Sequence, residues 1–461
     1  MICTWQIWET TAGLKAISSG KYLYFNCGFL NIHIGGENMI DELLKGILIH
    51  AYNTVSFYKE SYDEAGINPE GFCSTEDFHR VPLVTKNDVQ LYSDKFFSSD
   101  YAYYPKRDDI IVTCTSGSTG RLLKLNWSKQ DIVRAQFNLW KVRMRVYGVH
   151  PKSKFFSFHS VTYGGNKAIE APEIIIDDMG RHMSVSRVLK DEKYLEKYYG
   201  YMMDFGPEWI MTMPSTMYLL ARFISDNGLT SPKTLKYIEL SGEYLFDRQR
   251  EKIRETFNVP VANMYGSEET NGIAIECRSG HMHCMGDNVY VEILKDGNPA
   301  RYGEEGDVYV TSLTNTAMPF IRYSQGDRAI LYPPETCSCG NQNPVIKVSA
   351  GRIGQNVLIE GREPLGSFVF CYAFEVINRY MKYPVLQFQV IQETMKRFTV
   401  RLVIRKSFEG WKDAIQTEFI GQMEKLGLSN LDWQFDYENN IMPSPVSGKL
   451  QFFVNKVEVN I

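Results

Sequence analysis

Two groups of residues in this chain have the types and spacing to do chemistry. The first is the run Thr115-Ser116-Gly117-Ser118-Thr119-Gly120, which follows, after Cys114, on the β-branched segment Ile110-Ile111-Val112-Thr113. Glycines let a backbone approach a ligand closely, and the hydroxyls and amide N–H groups can together donate to phosphate oxygens. The Gly-Lys-Ser/Thr ending of a Walker loop is missing, so the run is not that motif. The residues alone leave it either a phosphate cradle or an ordinary Ser/Gly turn after a strand. The second group is two pairs, Cys277 with His283 and Cys337 with Cys339, in the patterns Cys-x5-His and Cys-x-Cys-Gly. Zinc takes four such ligands tetrahedrally, and a site with no open position is structural. The spacing is unlike that of a standard finger, and free reduced thiols are the other reading.

The elements that must position these groups belong to a chain of 461 residues with 54 acidic and 50 basic side chains and 44% hydrophobic residues. That composition excludes a disordered chain, a collagen-like one and a small disulfide-stapled domain. The balance of charge argues against a nucleic-acid binder, which needs surplus Lys and Arg to displace counterions from phosphates. Small molecules or other proteins are therefore the expected partners. The nine cysteines form no repeating frame, which fits a reducing compartment. No stretch approaches the ~18–20 apolar residues that span a bilayer. The early apolar segment Tyr22 to Ile34 is interrupted by Asn26, Gly28 and Asn31 and lacks a cleavage pattern. A cytoplasmic protein without a membrane span is expected.

A single hydrophobic core stops growing at roughly 250–300 residues, so at least two domains are expected. Residues 1–38 sustain neither a helical nor a strand period. They are either an ordered extension or lie upstream of a true start at Met39, because Gly35-Gly36-Glu37 could translate a purine-rich ribosome-binding sequence. From Met39, Ile40, Leu43, Leu44, Ile47, Leu48 and Ala51 share one helical face, and Gly66 is a stop signal. Farther on, strands and helices alternate: a helix over Lys129 to Val146, a strand at Trp209 to Met211, a helix opening at Pro214-Ser215, a strand at Leu235 to Leu240, and a helix over Arg248 to Phe257. Such alternation predicts an α/β fold with a largely parallel sheet whose ligands lie beyond the carboxyl ends of strands. Segments 288–294, 307–313 and 328–332 predict a small β subdomain. After Gly351-Arg352 a new mixture begins, with strands at Val385 to Ile391 and Phe398 to Ile404 and a helix over Gly410 to Lys425.

Five segments in order carry a resemblance to the AMP-forming adenylating superfamily of acyl-CoA synthetases, adenylation domains and luciferases. The loop Thr115–Gly120 resembles its phosphate-loop signature. Tyr265-Gly266-Ser267-Glu268-Glu269 resembles the aromatic-Gly-x-Thr-Glu motif, preceded by Asn263 and by Ser241-Gly242-Glu243 at the adenine-contacting loop. Tyr323-Ser324-Gln325-Gly326-Asp327 resembles the motif whose Asp holds the ribose. Gly351-Arg352 resembles the start of the hinge, and Pro443 through Gly448-Lys449 the C-terminal loop with the catalytic Lys. The opening helix, Glu276-Cys277 and Phe320-Ile321-Arg322-Tyr323 are similar to the phenylacetate–CoA ligase-like branch, which includes ligases associated with capsular polysaccharide genes.

The resemblance implies a large N-terminal α/β domain over 39–351 and a small mobile α+β lid over 352–461. It implies ATP and Mg²⁺ as cosubstrates, a carboxylic acid as substrate and coenzyme A as acceptor, with a carrier protein or an amine as alternatives. Lys449 then bridges the carboxylate and the α-phosphate, Glu269 holds Mg²⁺, Asp327 accepts both ribose hydroxyls, and Arg352 donates to ribose or phosphate. It also favours zinc on Cys277, His283, Cys337 and Cys339, with His283 preferred over His281 and Cys284 as a spare ligand. Phe158 to Gly165 falls where the branch lines its acid pocket, although a buried strand accounts equally for the phenylalanines. Leu122 in place of Pro, Glu268 in place of a hydroxyl residue and Gly354 at the hinge depart from the family pattern. They motivate the alternative of a nucleotide-binding member without turnover.

Overall fold

Leu44, Ile47, Leu48 and Ala51 recur at helical spacing and are buried, which holds the opening helix, Glu37–Thr54, against the body. This helix begins two residues before Met39. Val55 breaks it in an extended conformation, and Ser56–Ala65 continues as a second helix that stops, as predicted, at Gly66 in the left-handed region. The computed structural model describes residues 37–72, 74–103, 105–115, 123–159, 162–164, 167–169, 173–186, 192–243, 245, 247–350, 356–361, 365–381, 384–425, 428–439, 441 and 451–457. The expectation for residues 1–38 lies outside them, apart from the two residues that open the helix.

The predicted strands and helices after residue 129 form close to their expected limits, and most of the strands join one sheet of thirteen. Five of these run parallel as neighbours: Val261–Ser267, Tyr237–Ser241, Trp209–Thr212, Phe155–His159 and His182–Ser186. The sheet is mixed rather than largely parallel. From Asn271–Glu276 outward every pairing is antiparallel, because links as short as residues 268–270 reverse the chain without room for a crossover helix. The segments expected as a β subdomain, observed as Val289–Lys295, Glu305–Ser312 and Tyr323–Tyr332, are part of that antiparallel half.

The parallel strands are covered on both faces, which is why they read as near-continuous apolar runs. On one face Ile210, Ile238 and Leu240 pack with Met217, Leu220 and Ala221 of the helix Pro214–Asp226 and with Ile253 of the helix Asp247–Phe257. On the other, Trp209, Met211 and Tyr237 meet Tyr147 and Val149. The helix that supplies this second layer is regular over Lys129–Val142 and widens into a π turn at Arg143–Tyr147. The turn sets Arg143 against Glu239 with two charge-assisted bonds of 2.8 and 2.6 Å. Trp140 and Trp209 flank the guanidinium with ring centroids at 4.9 and 5.0 Å, and the Tyr237 hydroxyl donates to the same carboxylate at 3.1 Å. Both members of the pair are buried. Arg143→Met leaves the carboxylate uncompensated inside the protein, so it is expected to cost about 3–5 kcal/mol in denaturant unfolding. A loss below about 1 kcal/mol, the worth of an exposed pair, would show that water reaches Glu239.

The segment Ile110–Thr115 is not followed directly by a helix. It pairs antiparallel with a strand the sequence reading missed, Leu123–Ser128, in a register that sets Thr115 opposite Leu123. Leu123, Leu125 and Trp127 alternate inward to pack with the opening helices and with Met318, Phe320 and Ile321. The alternation is legible in Leu-Lys-Leu-Asn-Trp-Ser once the partner strand is known.

The C-terminal residues build a separate four-stranded sheet in the order Asp432–Tyr437, Arg397–Ile404, Val385–Gln392, Phe453–Asn455. The helices Phe368–Tyr380 and Lys412–Lys425 cover it, and Phe370, Phe374, Phe398 and Phe419 form the centre of its own core. Among the described residues no helix is long and apolar enough to cross a membrane.

Candidate nucleotide site and metal centre

Ser241, Gly242, Glu243, Asn263, Tyr265 and Gly266, among the residues expected to contact a nucleotide, lie on or just after two adjacent parallel strands, toward the carboxyl ends at which ligands of open α/β sheets bind. Ser241 ends one strand and is buried; Gly242 follows in the left-handed region with φ of 86°, and Glu243 is exposed. On the next strand are Asn263, Tyr265 and Gly266. The pairing with Asn271–Glu276 shifts register between Tyr265 and Gly266. A Cβ on Gly266 would fall 2.7 Å from the Asn271 carbonyl oxygen, so glycine is required by close approach of backbone.

Two crosswise hydrogen bonds join the motif around Tyr265 to the motif around Asp327. The Tyr265 hydroxyl donates to Asp327 Oδ2 at 2.7 Å. The Tyr323 hydroxyl donates to Glu269 Oε1 at 3.1 Å. Glu269 is buried, with 6% of its surface exposed, and Asp327 is half-buried. A carboxylate has about four acceptor positions, so each acid is oriented by a tyrosine without being saturated by it. Trp127 Nε1 donates to the Glu268 carbonyl at 3.1 Å, which ties the hairpin carrying the Thr115–Gly120 loop to this same turn. Tyr323 and Trp127 were not singled out from the sequence. Tyr323 lay inside a recognised motif, whereas nothing local marks Trp127.

Arg322 sets the position of Tyr323. Its φ is 47°, its guanidinium pairs with Glu292 at 3.0 Å, and it donates to the carbonyls of His79 and Val81 at 2.7 and 2.6 Å. It is therefore a buried structural arginine, not a ligand-facing one. Phe156 and Phe158 belong to the core, in agreement with the buried-strand reading of that segment, and the side chain of His159 lies outside the described residues. Ser116 to Gly120, the side chain of Thr115, Leu122, Arg352, Gly354 and Lys449 also lie outside them.

Cys277, His283, Cys337 and Cys339 converge. One ligand atom from each lies within 4.8 Å of all the others, although the pairs are separated by the strands that lead away to Ser312 and back. Cys277 Sγ is 3.6 Å from Cys337 Sγ, and Cys339 Sγ is 3.3 Å from His283 Nε2. A tetrahedron with metal–sulfur bonds of about 2.3 Å has edges of about 3.8 Å, so the atoms stand nearly at ligand spacing. His283 Nδ1 lies 3.0 Å from the Asn343 carbonyl; a carbonyl only accepts, so Nδ1 carries the proton and Nε2 keeps its lone pair for the cluster. Burial pushes the Cys337 thiol up, but the backbone N–H of Cys339, His283 and the neighbouring thiols more than reverse this and hold it at about 6. Burial and the other two sulfurs push Cys339 the opposite way, to about 11. The two thiols are thus pushed apart, one favouring the thiolate and the other opposing it, and a divalent cation among them would remove that conflict. Cys284 is outside the cluster, in an apolar core with Ile273 and Val289, where burial pushes its thiol up to about 12.

No family model matches the chain. It is 27% identical over 334 residues to a phenylacetate–coenzyme A ligase of Thermus thermophilus, covering 70% of this chain and 71% of that protein. It is 23% identical over 407 residues to the protein CapK of Staphylococcus aureus, covering 87% and 85%. Among solved structures, a 2-hydroxyisobutyryl-CoA ligase in the postadenylation state, in complex with 2-HIB-AMP, matches with a TM-score of 0.67 at 19% identity. The match covers 91% of this chain and 89% of that one, and it shows a shared fold.

Proposed function

We propose that the chain is a phenylacetate–CoA ligase-like member of the AMP-forming adenylating enzymes, which activates a carboxylic acid with ATP and transfers the acyl group to the thiol of coenzyme A. In the first half-reaction a carboxylate oxygen attacks the α-phosphorus and pyrophosphate leaves. In the second, the thiol sulfur attacks the acyl carbon, AMP leaves with the former carboxylate oxygen, and the thiol proton is lost. The observation that carries this reading is the crossed pair Tyr265–Asp327 and Tyr323–Glu269, because it makes one site of two motifs that are 62 and 54 residues apart.

In this reading Ser241, Gly242, Glu243, Asn263, Tyr265 and Gly266 form the wall against adenine. Asp327 accepts from the ribose hydroxyls with the acceptor capacity that Tyr265 leaves it. Thr115, Ser116, Gly117, Ser118, Thr119 and Gly120 hold phosphate oxygens, with Arg352 as a further donor. Glu269 suits Mg²⁺ as a hard oxygen ligand, and its bond from Tyr323 fixes the carboxylate plane. Lys449 comes from the lid, residues 352–461, whose separate sheet and core support its assignment as a domain distinct from 39–351. Zinc is the cation we assign to Cys277, His283, Cys337 and Cys339, since three thiolates and an imidazole suit it and no ligand position is left open. The protein is read as cytoplasmic, in keeping with the free cysteines Cys277, Cys284, Cys337 and Cys339 among the described residues. A carrier-protein thiol is the alternative acceptor.

ATP–pyrophosphate exchange across a panel of aryl and aliphatic acids tests the proposal. Exchange with at least one acid is expected. Measurable ATP binding with no exchange for any acid would instead support the nucleotide-binding member without turnover. Asp327→Ala is expected to weaken ATP binding by about 10–100-fold, the worth of hydrogen bonds to a charged acceptor, with little change in the KM for the acid. Equal losses for both substrates would count against the ribose role.

A further inference from the structure

The carboxylate of Glu276 is where the metal cluster and the nucleotide segments meet. Glu276 closes the strand Asn271–Glu276, directly precedes the ligand Cys277, and is 5% exposed. Arg250 donates to both of its oxygens, from Nη1 at 2.7 Å and Nη2 at 2.6 Å. The backbone N–H of Asn263 donates to Oε2 at 2.6 Å. The ladder pairs Met264 with Ile275, so Asn263 stands opposite Glu276. There the side chain takes the Asn263 N–H, while the Glu276 carbonyl accepts from the Tyr147 hydroxyl.

Each donor lies on an element that follows or carries a different one of the proposed nucleotide segments. Arg250 sits on the helix Asp247–Phe257, which follows Ser241-Gly242-Glu243 in the chain, and Asn263 lies on the strand Val261–Ser267 that carries Tyr265 and Gly266. On its other side Glu276 leads into the tight turn in which Gly280 N–H donates to the Cys277 carbonyl at 3.0 Å and Cys277 N–H to the His281 carbonyl at 2.9 Å. That turn is pinned at one end by Cys277 and at the other by His283.

We propose that Glu276 is a positioning residue through which occupancy of the Cys/His centre fixes the two nucleotide segments, so that metal binding sets the affinity for ATP. The inference rests on the adenylating reading. A bound cation holds Cys277 and with it the angle from which the Glu276 carboxylate meets Arg250 and Asn263. Without it Cys277 loses that tether, the angle at Glu276 is less tightly fixed, and charge-assisted bonds weaken steeply with geometry.

The test is ATP·Mg²⁺ binding by calorimetry to the full chain, as wild type, Glu276→Gln and Glu276→Asp, each with zinc retained and after chelation, with zinc content and melting followed in parallel. Glu276→Gln is expected to keep one zinc per chain and to bind ATP about 10–100-fold more weakly, the size of the effect of losing a hydrogen bond to a charged group. Chelation is expected to weaken the wild type comparably and to add little in Glu276→Gln, because both act through one link. Glu276→Asp, which keeps the charge and withdraws it by one methylene, is expected to show the same pattern more mildly and covers the case in which Glu276→Gln does not fold. Unchanged ATP affinity in a folded, zinc-replete variant overturns the inference alone. So does chelated wild type with undiminished affinity, or effects that multiply independently. Wild type that binds no ATP overturns the adenylating reading as well.

Discussion

Lys449→Ala is expected to lower ATP–pyrophosphate exchange by about 10²–10³-fold, the loss typical when one preorganised donor to developing charge is removed. The first half-reaction brings a carboxylate against a polyphosphate, and like charges must be held together before the α-phosphorus can be attacked. In the proposed mechanism the Lys449 ammonium, beside Gly448 in the sequence, reduces that repulsion and follows the negative charge as it moves from the carboxylate to pyrophosphate. ATP affinity without acid is expected to change little, because those contacts are the ones proposed for Asp327 and Thr115–Gly120. Thioester formation from a preformed acyl-adenylate should also be largely spared, since the polyphosphate has already left. Undiminished exchange would remove Lys449 from the mechanism, and equal loss in both half-reactions would point to a damaged lid.

Cys337→Ser is expected to abolish stoichiometric zinc and to cost about 4–5 kcal/mol in unfolding, a size reached by few mechanisms, loss of a metal among them. Cys337 is nearly buried and bonds to the other ligands from the centre of the cluster. Its replacement leaves three donors and an open position, and the metal that remains is held with lower affinity. Cys284→Ala is the control. Its sulfur lies in the apolar core of Ile273 and Val289, so zinc should stay at one per chain. Zinc lost equally from both variants would show general loosening of the sheet, and a folded wild type with less than one zinc per chain would remove the metal assignment.

Much of this architecture was legible because its signals are short-ranged. Periodic apolar residues located the helix of Leu44, Ile47 and Leu48, and Gly66 the end of the helix that follows it, whereas the break between the two at Val55 was not legible. Buried β-branched and aromatic runs located the strands at Trp209 and Tyr237. The strand Leu123–Ser128 escaped notice because its hydrophobic partners, from the opening helices to Phe320, are remote in the chain. The direction of the sheet was only half legible: alternation of strand and helix implies parallel pairing as far as Val261–Ser267, but the switch to antiparallel depends on which neighbour each later hairpin joins.

By itself the amino-acid sequence determined the chemistry available: a Ser/Thr/Gly loop, two acids following aromatic-rich motifs, three thiols and an imidazole in pairs, and a lysine on a late glycine loop. Types and short spacings decide such things, because they need no contact beyond a few residues. Tertiary structure alone decided what these groups do to one another. It brought Tyr265 to Asp327, Tyr323 to Glu269, and Cys277 to Cys337, turned Arg322 inward, left Cys284 out of the cluster, and made Glu276 the joint between two sites. Each of these depends on a register or a packing angle set by residues far away in the chain, and no local pattern encodes a distance across a folded sheet.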